Sequence, residues 1–550
     1  MRAFKYAHWL KLCTRSHWHW TKQLPYLTLK TTSQCLSKGY LAFTSLCLCV
    51  PIVFSSASLS YAAGEPAISG LNFQECTIGN GTAQLIAQCA TISVPIDYED
   101  TTKESKLATQ SSSTDSALAT KNTSLVLSIA RIPARRQSDK TDAVTLLAGG
   151  PGQSAIDSFP MLAFAFRHMM RDRDIILVDQ RGTGDSAKLS CPDSPDTLGL
   201  ESDIDTQELA QLASQCHDSL PYDPQFFTTS VAVKDLELIR QQLGVSQWNL
   251  YGISYGTRVA LHYLRRYPES VRTIALDAVV PPSIALGPEI APLAQRALDL
   301  IFERCSNDEG CHSAFGNLKQ PTLALLDSLD ANPRSITYED IASGKLSVME
   351  FTRDHLAITL RLMSYSSQTA AILPSMLHDA IVNGNFAPLA RQANLQTQSL
   401  GDTLATGMHH AVVCTEDAPF IEQASIDAPA AGYMGEDIVD SLLATCQNWP
   451  SGVLDDDFKQ PVKATTPALV LSGGADPITP PEYGESVVQH LSASRHIVNV
   501  DQAHMQAPFG CMPVLLAQFV EQADAVSLDT SCLERYHTQP FFVDANGPLP

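Results

Sequence analysis

The 550-residue chain is long enough for one large domain with an insertion or for two to four ordinary domains. Its composition, 44% hydrophobic and 17% charged, is typical of a globular protein with a substantial core and excludes a largely disordered chain. Residues 1–63 contain seven basic residues and no acid, so the remainder carries 58 acidic against 30 basic residues, a surface that repels phosphate backbones and argues against nucleic acid as a partner.

Residues 1–63 have the parts of a secretory signal peptide. A basic segment precedes the apolar stretch YLAFTSLCLCVPIVF (40–54), and SSASLSYAAG then offers small residues for cleavage near Ala62 or Ala63. The apolar stretch is short for a membrane-spanning helix, so we expect cleavage, export to the periplasm or the medium, and no stable membrane insertion afterwards. The basic segment is unusually long, which leaves open a start further downstream or retention as an uncleaved anchor.

The next part of the chain alternates apolar strands with amphipathic helices. Apolar runs predict strands at 89–98, 124–134, 143–152 and 174–184, of which the last two lead into glycine-rich turns. After a predicted helix at 230–244 come the strand WNLYG, the helix TRVALHYLRRYP and a strand at 271–280. Continuous apolar strands that alternate with helices predict an α/β fold, a mostly parallel sheet with helices on both faces.

From about residue 283 to 455 the pattern changes to amphipathic helices with few candidate strands, and strands return at 466–480 and 494–505. A helical insertion of this kind predicts a cap over the C-terminal edge of the sheet, where ligands bind in such folds. We therefore divide the chain into the signal peptide (1–63), a first part of the core (64–282), a helical cap (283–455) and a second part of the core (456–550).

A short segment between a predicted strand and a predicted helix carries a candidate nucleophile. In NLYGISYGTR (249–258), Ser254 lies between Gly252 and Gly256 in the pattern G-x-S-x-G. Where this pattern joins a strand to a helix it forms a nucleophile elbow, a turn so sharp that side chains on either side of the serine would clash. The alternative is an ordinary glycine-rich turn. The strand before it and the helix after it favour the elbow.

To act as a nucleophile near neutral pH, a serine hydroxyl needs a base, and the base needs an orienting carboxylate. In this topology the acid and then the histidine follow the serine along the chain. Asp476 follows the strand ALVLSGG, and His504 follows the next strand. Taken singly, Asp476 is also suited to a turn before Pro477, and His504 to a surface loop. Together with the elbow, they predict a triad of Ser254, Asp476 and His504.

The tetrahedral intermediate of such a reaction needs amide N–H donors for its oxyanion. One donor is expected to be the N–H of Tyr255, at the start of a helix whose dipole favours negative charge. The other is expected in AGGPGQS (148–154), the loop after the third predicted strand, where Gly150 is our candidate. This loop lacks the lysine of a phosphate-binding P-loop, which argues against that alternative.

Five segments, in this order, resemble the α/β-hydrolases of the proline iminopeptidase and tripeptidyl aminopeptidase group, especially exported members with large caps and several cysteines: GGPGQS, DQRGTGDS, GISYGTR, GGADPITP and QAHMQAP. The resemblance runs from about residue 76 to 535 and implies the α/β-hydrolase fold with a large helical cap insertion. It also implies a serine exopeptidase that acts at free N-termini without metal or cofactor, with Ser254, Asp476 and His504 as nucleophile, acid and base. Relatives often have His where this chain has Ala148, a change that leaves the backbone amides in place.

An aminopeptidase must also recognise a protonated amine, for which a carboxylate on the cap side is suited. The segment VVCTEDAP (412–419) offers Glu416 as our candidate, and the group that the chain resembles is similar in placing acids on the cap. The alternative for Glu416 is an ordinary solvated acid. In the core we expect other charged residues to brace loops or to cap a strand end: Asp179, Arg181, Asp185 and Asp277.

Ten cysteines follow the leader, an even number that indicates disulfides in an exported chain. Their order favours pairing between neighbours, although the sequence permits many other connectivities: Cys76–Cys89, Cys191–Cys216, Cys305–Cys311, Cys414–Cys446 and Cys511–Cys532. No C-x-x-C occurs and the histidines lack ligand spacing, so we expect no metal site and interpret the His409–His410 pair as incidental.

The sequence thus favours an exported serine aminopeptidase that releases short peptides or single residues from peptides with a free N-terminus through an acyl-enzyme intermediate. The runner-up is an exported carboxylic-ester hydrolase with the same triad. A third hypothesis is a catalytically silent protein of this fold that binds a partner; such proteins usually lack a triad member or an elbow glycine, and both are present here.

Overall fold

A nine-stranded mixed sheet forms the core of the part of the chain that the structure describes. The computed structural model describes residues 71–79, 83–99, 123–191, 205–341, 343–426, 432–434, 437–544 and 546–548, so the predicted signal peptide lies outside the described residues. The strands are β1 (Gln74–Ile78), β2 (Leu85–Pro95), β3 (Ser124–Ile132), β4 (Ala143–Leu147), β5 (Ile175–Val178), β6 (Trp248–Ile253), β7 (Val271–Asp277), β8 (Arg334–Glu339), β9 (Leu346–Phe351), β10 (Ala468–Gly473) and β11 (Ser494–Asn499). Their order across the sheet is β1–β2–β3–β5–β4–β6–β7–β10–β11, while β8 and β9 form a separate hairpin.

The sheet is antiparallel from β1 to β5 and parallel from β5 to β11. Every residue of β6 and β10 is buried, because helices cover both faces of the parallel part. Such strands are continuous apolar runs, which is why the sequence predicts them. The sequence does not predict β1, whose residues QECTI are half-exposed and mostly polar. The loop at 148–154 consequently follows the fourth strand of the chain and not, as predicted, the third.

Helices on the two faces of the sheet enclose two apolar layers. The core helices are α1 (Ala155–Phe166), α3 (Thr229–Gln242), α4 (Tyr255–Arg266), α14 (Pro481–Val488) and α15 (Met512–Gln522). Helix α2 (Thr206–Ser219) packs instead against the segment between β7 and β10, where its Ala213 and Cys216 contact a cluster with Val413 and Trp449. Leu236 of α3 and Leu261 of α4 belong to one layer, and Phe159 of α1 and Phe519 of α15 to the other. The prediction of an α/β-hydrolase fold is therefore confirmed in its central feature, a mostly parallel sheet between helices.

Between β7 and β10 the described chain is mainly helical. Its helices are α5 (Ile290–Asn307), α6 (Glu309–Phe315), α7 (Lys319–Ala331), α8 (Arg353–Met363), α9 (Ser367–Asn383), α10 (Ala387–Thr403), α11 (Thr406–Glu416), α12 (Gln423–Ile426) and α13 (Asp437–Cys446). Many of them pack around an apolar cluster of their own, which includes Leu298, Leu326, Leu360 and Leu389. The hairpin of β8 and β9 also lies here; its strands are largely exposed, so their apolar pattern is too weak to predict. The predicted boundaries of this insertion stay a prediction.

Five disulfides join neighbouring cysteines, as the order of the cysteines predicts: Cys76–Cys89, Cys191–Cys216, Cys305–Cys311, Cys414–Cys446 and Cys511–Cys532. Four of these bridges close loops of 13 to 32 residues, and such closure removes conformational freedom from the unfolded chain. Among the described residues, none of the helices combines the length and the apolar character that crossing a membrane requires.

Candidate active site

Ser254 lies at the sharp turn between β6 and α4. Its backbone angles, φ 55° and ψ −126°, fall where non-glycine residues are rarely found, so the surrounding structure must hold it there. A Cβ added at Gly256 would lie 2.0 Å from the carbonyl oxygen of Leu147 in β4, and one at Gly252 would lie 2.5 Å from the carbonyl oxygen of Gly256. The two glycines are thus required by close approach of the backbone, as the sequence analysis predicts for a nucleophile elbow.

Hydrogen bonds fix this turn from both sides. Thr257 donates to the carbonyl oxygen of Ser254 from its N–H (2.9 Å) and from its Oγ1 (2.6 Å). The N–H of Ser254 donates to the carbonyl oxygen of Asp277, at the end of β7 (3.0 Å). The serine is half-buried, and among the described residues its hydroxyl has no hydrogen-bond partner. The hydroxyl is therefore held at the carboxyl edge of the sheet without being tied to another group.

Asp476 and His504 form a direct pair at the same edge. Nδ1 of His504 lies 2.8 Å from Oδ2 of Asp476, which is fully buried after β10. The other carboxylate oxygen, Oδ1, accepts from the backbone N–H groups of Ile478 and Thr479, both at 2.9 Å. Oδ2 also accepts from Oγ1 of Thr479 at 2.7 Å. The carboxylate is thus oriented by three donors besides the imidazole.

The charge of Asp476 controls the protonation of His504. Burial lowers the pKa of the imidazole, but the negative charge of Asp476 and its hydrogen bond raise it by more, so the pKa lies above the ordinary value of 6.5. Because the ionised carboxylate can only accept, Nδ1 must carry the hydrogen that faces it. The neutral ring then has its lone pair on Nε2, as a general base requires.

Asp277 links the elbow to the histidine loop. Its carboxylate is fully buried and accepts from the hydroxyl of Tyr251 (2.6 Å), the N–H of Gln506 (2.8 and 2.9 Å to the two oxygens) and the N–H of Ala507 (2.8 Å). Since its carbonyl oxygen also accepts from the N–H of Ser254, one residue ties the serine to the segment just after His504. The sequence predicts a structural role for Asp277 but gives no indication of this link.

The three predicted triad residues therefore follow strands of the parallel part of the sheet. Ser254 follows β6, Asp476 follows β10 and His504 follows β11, and β7 lies between β6 and β10. The structure brings Asp476 and His504 into contact and connects Ser254 to the loop of His504 through Asp277. It does not form a hydrogen bond between Ser254 and His504. Catalytic hydrogen bonds of this kind are often long in a free enzyme and tighten when substrate binds.

The loop at 148–154 lies against the serine. A Cβ added at Gly149 would lie 3.2 Å from Cβ of Ser254, a tight contact, so the absence of a side chain at residue 149 favours the close approach of this loop to Ser254. Gly150 is exposed at this point and Tyr255 begins α4. Among the described residues, neither of these two backbone N–H groups is paired with an acceptor. Both are thus free for the anion that the sequence analysis assigns to them.

The charged residues of DQRGTGD lie beneath this loop. Asp179 is buried and accepts from Oγ of Ser154 (2.7 Å) and from the N–H of Ile156 (3.0 Å), so it holds the start of α1 just after the loop. Burial raises the pKa of Asp179 to about 6. Arg181 forms a buried ion pair with Asp235, with both nitrogen–oxygen distances at 2.6 Å. These contacts brace loops, as predicted, whereas Asp185 is exposed.

Glu416 lies at the end of α11 and is fully buried, which is not the position of the solvated acid considered as its alternative. Its carboxylate accepts from the N–H of Thr229 (2.7 Å) and from Oγ1 of Thr229 (2.9 Å), and it lies 3.9 Å from Arg258. Burial raises its pKa to about 7. Contact between Glu416 and a substrate amine stays a prediction, and it would require this buried group to become accessible.

The neighbouring carboxylate, Asp417, is also fully buried. It pairs with Arg258 at 2.9 and 3.1 Å and lies 3.6 Å from Nζ of Lys459. Burial lowers the pKa of Lys459 to about 8. The segment that the sequence analysis places on a cap surface is therefore part of a buried network of charges.

One group of described residues brings three potential metal ligands within 4.8 Å of one another: Cys191, Cys216 and His410. The two cysteines form a disulfide, so their sulfurs are not available as thiolate ligands. His410 packs against the ring of Trp449, and burial lowers its pKa to about 3. This group does not have the chemistry of a metal site in the disulfide-bonded protein.

The sequence model of the family described as alpha/beta hydrolase fold matches residues 142–510, well over half of the chain. Serine protease Hip1 of Mycobacterium tuberculosis (strain ATCC 25618 / H37Rv) is 24% identical over 455 residues, which cover 74% of this chain and 80% of that protein. Tripeptidyl aminopeptidase of Streptomyces lividans is 29% identical over 238 residues, 40% of each chain. Carboxylesterase B of Mycobacterium tuberculosis (strain CDC 1551 / Oshkosh) is 28% identical over 290 residues, 48% of this chain and 52% of that protein.

Proposed function

This chain belongs to the alpha/beta hydrolase family and is a serine hydrolase, and on this premise we propose that it is an exported aminopeptidase. Its substrates would be peptides with a free N-terminus, from which it releases short peptides or single residues. The observation that carries the proposal is the Asp476–His504 pair at 2.8 Å, with the loop of His504 connected through Asp277 to the strained turn of Ser254. The names of two relatives, a serine protease and a tripeptidyl aminopeptidase, support peptides as the substrate class.

In the proposed reaction, Oγ of Ser254 attacks the scissile carbonyl carbon while Nε2 of His504 takes the hydroxyl proton. Asp476 stabilises the imidazolium that forms. The carbonyl electrons move to the oxygen, whose charge is stabilised by the N–H groups of Tyr255 and Gly150. His504 then returns the proton to the leaving amine, and an acyl-enzyme remains. Water, activated by the same imidazole, repeats the sequence and releases the acyl part as a free acid.

Contacts of the insertion with the triad loops support a restricted substrate range. The carbonyl oxygen of Tyr365, between α8 and α9, accepts from the N–H of His504 at 3.1 Å, and their rings lie 5.1 Å apart. Oγ of Ser367 donates to Gln502 at 3.0 Å. With residues of the insertion this close to the catalytic base, a chain end or a short peptide fits better than a folded protein. We therefore propose exopeptidase rather than endopeptidase action.

The first test asks whether Ser254 is the nucleophile. A fluorophosphonate probe should label the wild-type protein and leave Ser254→Ala unlabelled. The substitution should lower turnover by roughly a millionfold, the scale found when a triad nucleophile is removed. Labelling of Ser254→Ala to the wild-type extent would contradict the assignment. Absence of labelling in a folded wild-type protein would favour the catalytically silent binder.

The second test separates an aminopeptidase from an esterase, which the carboxylesterase relative keeps as the competing function. Tripeptide and single-residue p-nitroanilides are compared with the same compounds carrying an N-acetyl group. Cleavage that requires the free amine supports the aminopeptidase, and the better of the two lengths gives the number of residues released. Hydrolysis of short acyl esters without cleavage of any anilide would contradict it.

Export is supported by the pattern of a signal peptide predicted in residues 1–63 and by the five disulfides, because disulfides persist in oxidising compartments. We expect the mature protein to begin near Ala63 or Gly64. N-terminal sequencing of protein recovered outside the cytoplasm tests this expectation. Recovery of full-length protein from the cytoplasm alone would contradict it.

A further inference from the structure

Helix α11 (Thr406–Glu416) contacts both sides of the proposed oxyanion site. At its N-terminal end, the N–H of Ala405 donates to the carbonyl oxygen of Gly152 at 3.0 Å, and Leu404 forms a β-bridge with Gln153. One turn into the helix, Nδ1 of His409 lies 3.1 Å from the carbonyl oxygen of Pro151. A carbonyl can only accept, so Nδ1 carries the hydrogen and donates it. The loop that contains Gly150 is thus held at one end of α11 by His409 and by the β-bridge, to which the Ala405 hydrogen bond belongs.

At the other end, α11 holds Tyr255 through a chain of hydrogen bonds. Oγ1 of Thr229 donates to Glu416 at 2.9 Å, so it accepts from the hydroxyl of Tyr255, which lies 2.6 Å away. The hydroxyl of Tyr255 in turn accepts from Nε2 of Gln180 at 3.0 Å. The N–H of Thr229 donates to the second oxygen of Glu416 at 2.7 Å. Every atom in this chain is paired, which fixes the ring of Tyr255 and hence the start of α4.

A buried ion pair anchors the same end of α11 to α4. Arg258, one turn after Tyr255, pairs with Asp417 at 2.9 and 3.1 Å, and the side chains of both residues are fully buried. Asp417 also accepts from the N–H of Leu286 at 2.9 Å. Removing one partner of a buried pair leaves an uncompensated charge in a low-dielectric environment. The Arg258–Asp417 pair therefore opposes displacement of α11 relative to α4. The C-terminal end of α11 is therefore fixed relative to α4.

The spacing within α11 fits a role as a rigid spacer. His409 and Glu416 are seven residues apart, which is close to two full turns, so their side chains leave the same face of the helix. At a rise of about 1.5 Å per residue, their Cα atoms are roughly 10 Å apart along the axis. One face of α11 thus contacts two groups near the proposed donors. His409 contacts Pro151, beside Gly150, and Glu416 contacts Thr229, which is hydrogen-bonded to Tyr255.

We propose that α11 sets the separation between the two oxyanion donors, with His409 and Glu416 as positioning residues for the N–H groups of Gly150 and Tyr255. The inference rests on the proposed serine-hydrolase chemistry but not on peptides being the substrate. It assigns a role to His409, although the sequence gives no indication of a role for the His409–His410 pair. It also differs from the predicted contact of Glu416 with a substrate amine, because a positioning residue acts on the transition state and a substrate contact acts on binding.

The test compares Glu416→Gln, His409→Phe and His409→Asn with wild type on p-nitrophenyl acetate, a substrate that an aminopeptidase or an esterase of this family can hydrolyse. His410→Phe is the matched control, since it keeps an aromatic ring against Trp449 and changes a nitrogen, Nδ1, that has no partner in the described residues. Thermal unfolding is measured for all four variants, so that a loss of activity caused by unfolding is recognised.

Deleting an oxyanion donor costs about 100- to 1000-fold in kcat, and displacing one should cost part of this. We expect Glu416→Gln and His409→Phe each to lower kcat about tenfold, with KM within about twofold of wild type. His409→Asn places an amide N–H near the position of Nδ1 and should recover most of the loss. Binding of a small alkyl trifluoromethyl ketone, whose adduct with serine carries an oxyanion, should weaken by the same factor as kcat.

Because p-nitrophenyl acetate has no amine, Glu416→Gln is also assayed on a tripeptide p-nitroanilide with a free N-terminus. There, a rise in KM without a fall in kcat would overturn the inference in favour of a substrate contact. So would unchanged affinity for the ketone, or a loss of kcat in His410→Phe equal to that in His409→Phe. A wild-type protein that hydrolyses esters but no peptide anilides would contradict the aminopeptidase proposal and leave this result unaffected. Failure of the two proposals is therefore distinguishable.

Discussion

The substitution Asp277→Asn tests whether the link between the elbow and the histidine loop is energetically important. Three donors converge on this buried carboxylate: the hydroxyl of Tyr251 and the N–H groups of Gln506 and Ala507. Asparagine has nearly the same shape, but an NH2 group replaces one of the two carboxylate oxygens. An NH2 group donates hydrogen bonds and cannot accept them. All three donors reach Oδ2, so an asparagine oxygen in that position keeps them paired. Its NH2 group then takes the position of Oδ1, where it faces the N–H of Gln506 and has no acceptor.

The expected cost follows from these contacts. A buried donor without an acceptor costs about 1–3 kcal/mol, and here the NH2 group of asparagine is that donor. Burial raises the pKa of Asp277, so a neutral side chain recovers some of the cost of burying a charge. We therefore expect the free energy of unfolding to fall by about 1–2 kcal/mol, a sizeable part of the 5–15 kcal/mol typical of a folded domain.

Urea unfolding followed by fluorescence measures this change, and Asp456→Asn is the matched control because Asp456 is exposed. The control should stay within about 0.5 kcal/mol of wild type. In Asp277→Asn, kcat/KM should also fall about 10- to 100-fold, because small displacements of a catalytic group are costly. An unchanged urea midpoint would refute the energetic argument. A lowered midpoint with wild-type kcat/KM would refute the link to His504.

Further outcomes follow from the same geometry. Protonation of His504 removes the base, so kcat/KM should fall as the pH falls, with an apparent pKa above 6.5. In Asp476→Asn the carboxylate no longer stabilises the imidazolium. The acidic limb of the pH profile should therefore move to lower pH, and the rate should also fall. A pH profile of both proteins checks this, and a limb that does not move would contradict it. Gly256→Ala should abolish activity and folding yield, since its Cβ would lie 2.0 Å from the carbonyl oxygen of Leu147. Gly401→Ala, in α10 with open space around the added atom, should instead raise the free energy of unfolding by about 0.5–1 kcal/mol.

Local patterns in the sequence predict the parallel sheet and the three triad loops for a physical reason. A strand buried on both faces is a continuous apolar run, and a turn that forces backbone within 2.0 Å of a Cβ position requires glycine, so both features are written in neighbouring residues. β1 and the β8–β9 hairpin are half-exposed and carry no such pattern. Their strand character depends on a partner strand, and the partner is not visible in the segment itself.

The environment of Glu416 cannot be predicted from the residues next to it in the sequence. In a chain with 58 acidic residues, an acid near a predicted cap is most simply a solvated group or a substrate contact. Its burial depends on Thr229, 187 residues away, and on the anchoring of the next residue, Asp417, by Arg258, 159 residues away. No local pattern records such pairings. What the sequence does indicate is that this position carries a charge, and the structure determines which group that charge meets.

These distant pairings suggest how the work of the site is divided. The proposed reacting groups, Ser254, Asp476 and His504, all follow strands of the sheet, and the strands before the first two, β6 and β10, are buried throughout. The two backbone N–H groups proposed to bind the oxyanion, those of Gly150 and Tyr255, come from different loops. One can move relative to the other without breaking a hydrogen bond of the sheet. A single helix of the insertion, bonded to one loop directly and to Tyr255 through Thr229, opposes such a shift. The insertion therefore has a reason to be present even for a substrate that it does not touch, and its variants should alter kcat before they alter specificity.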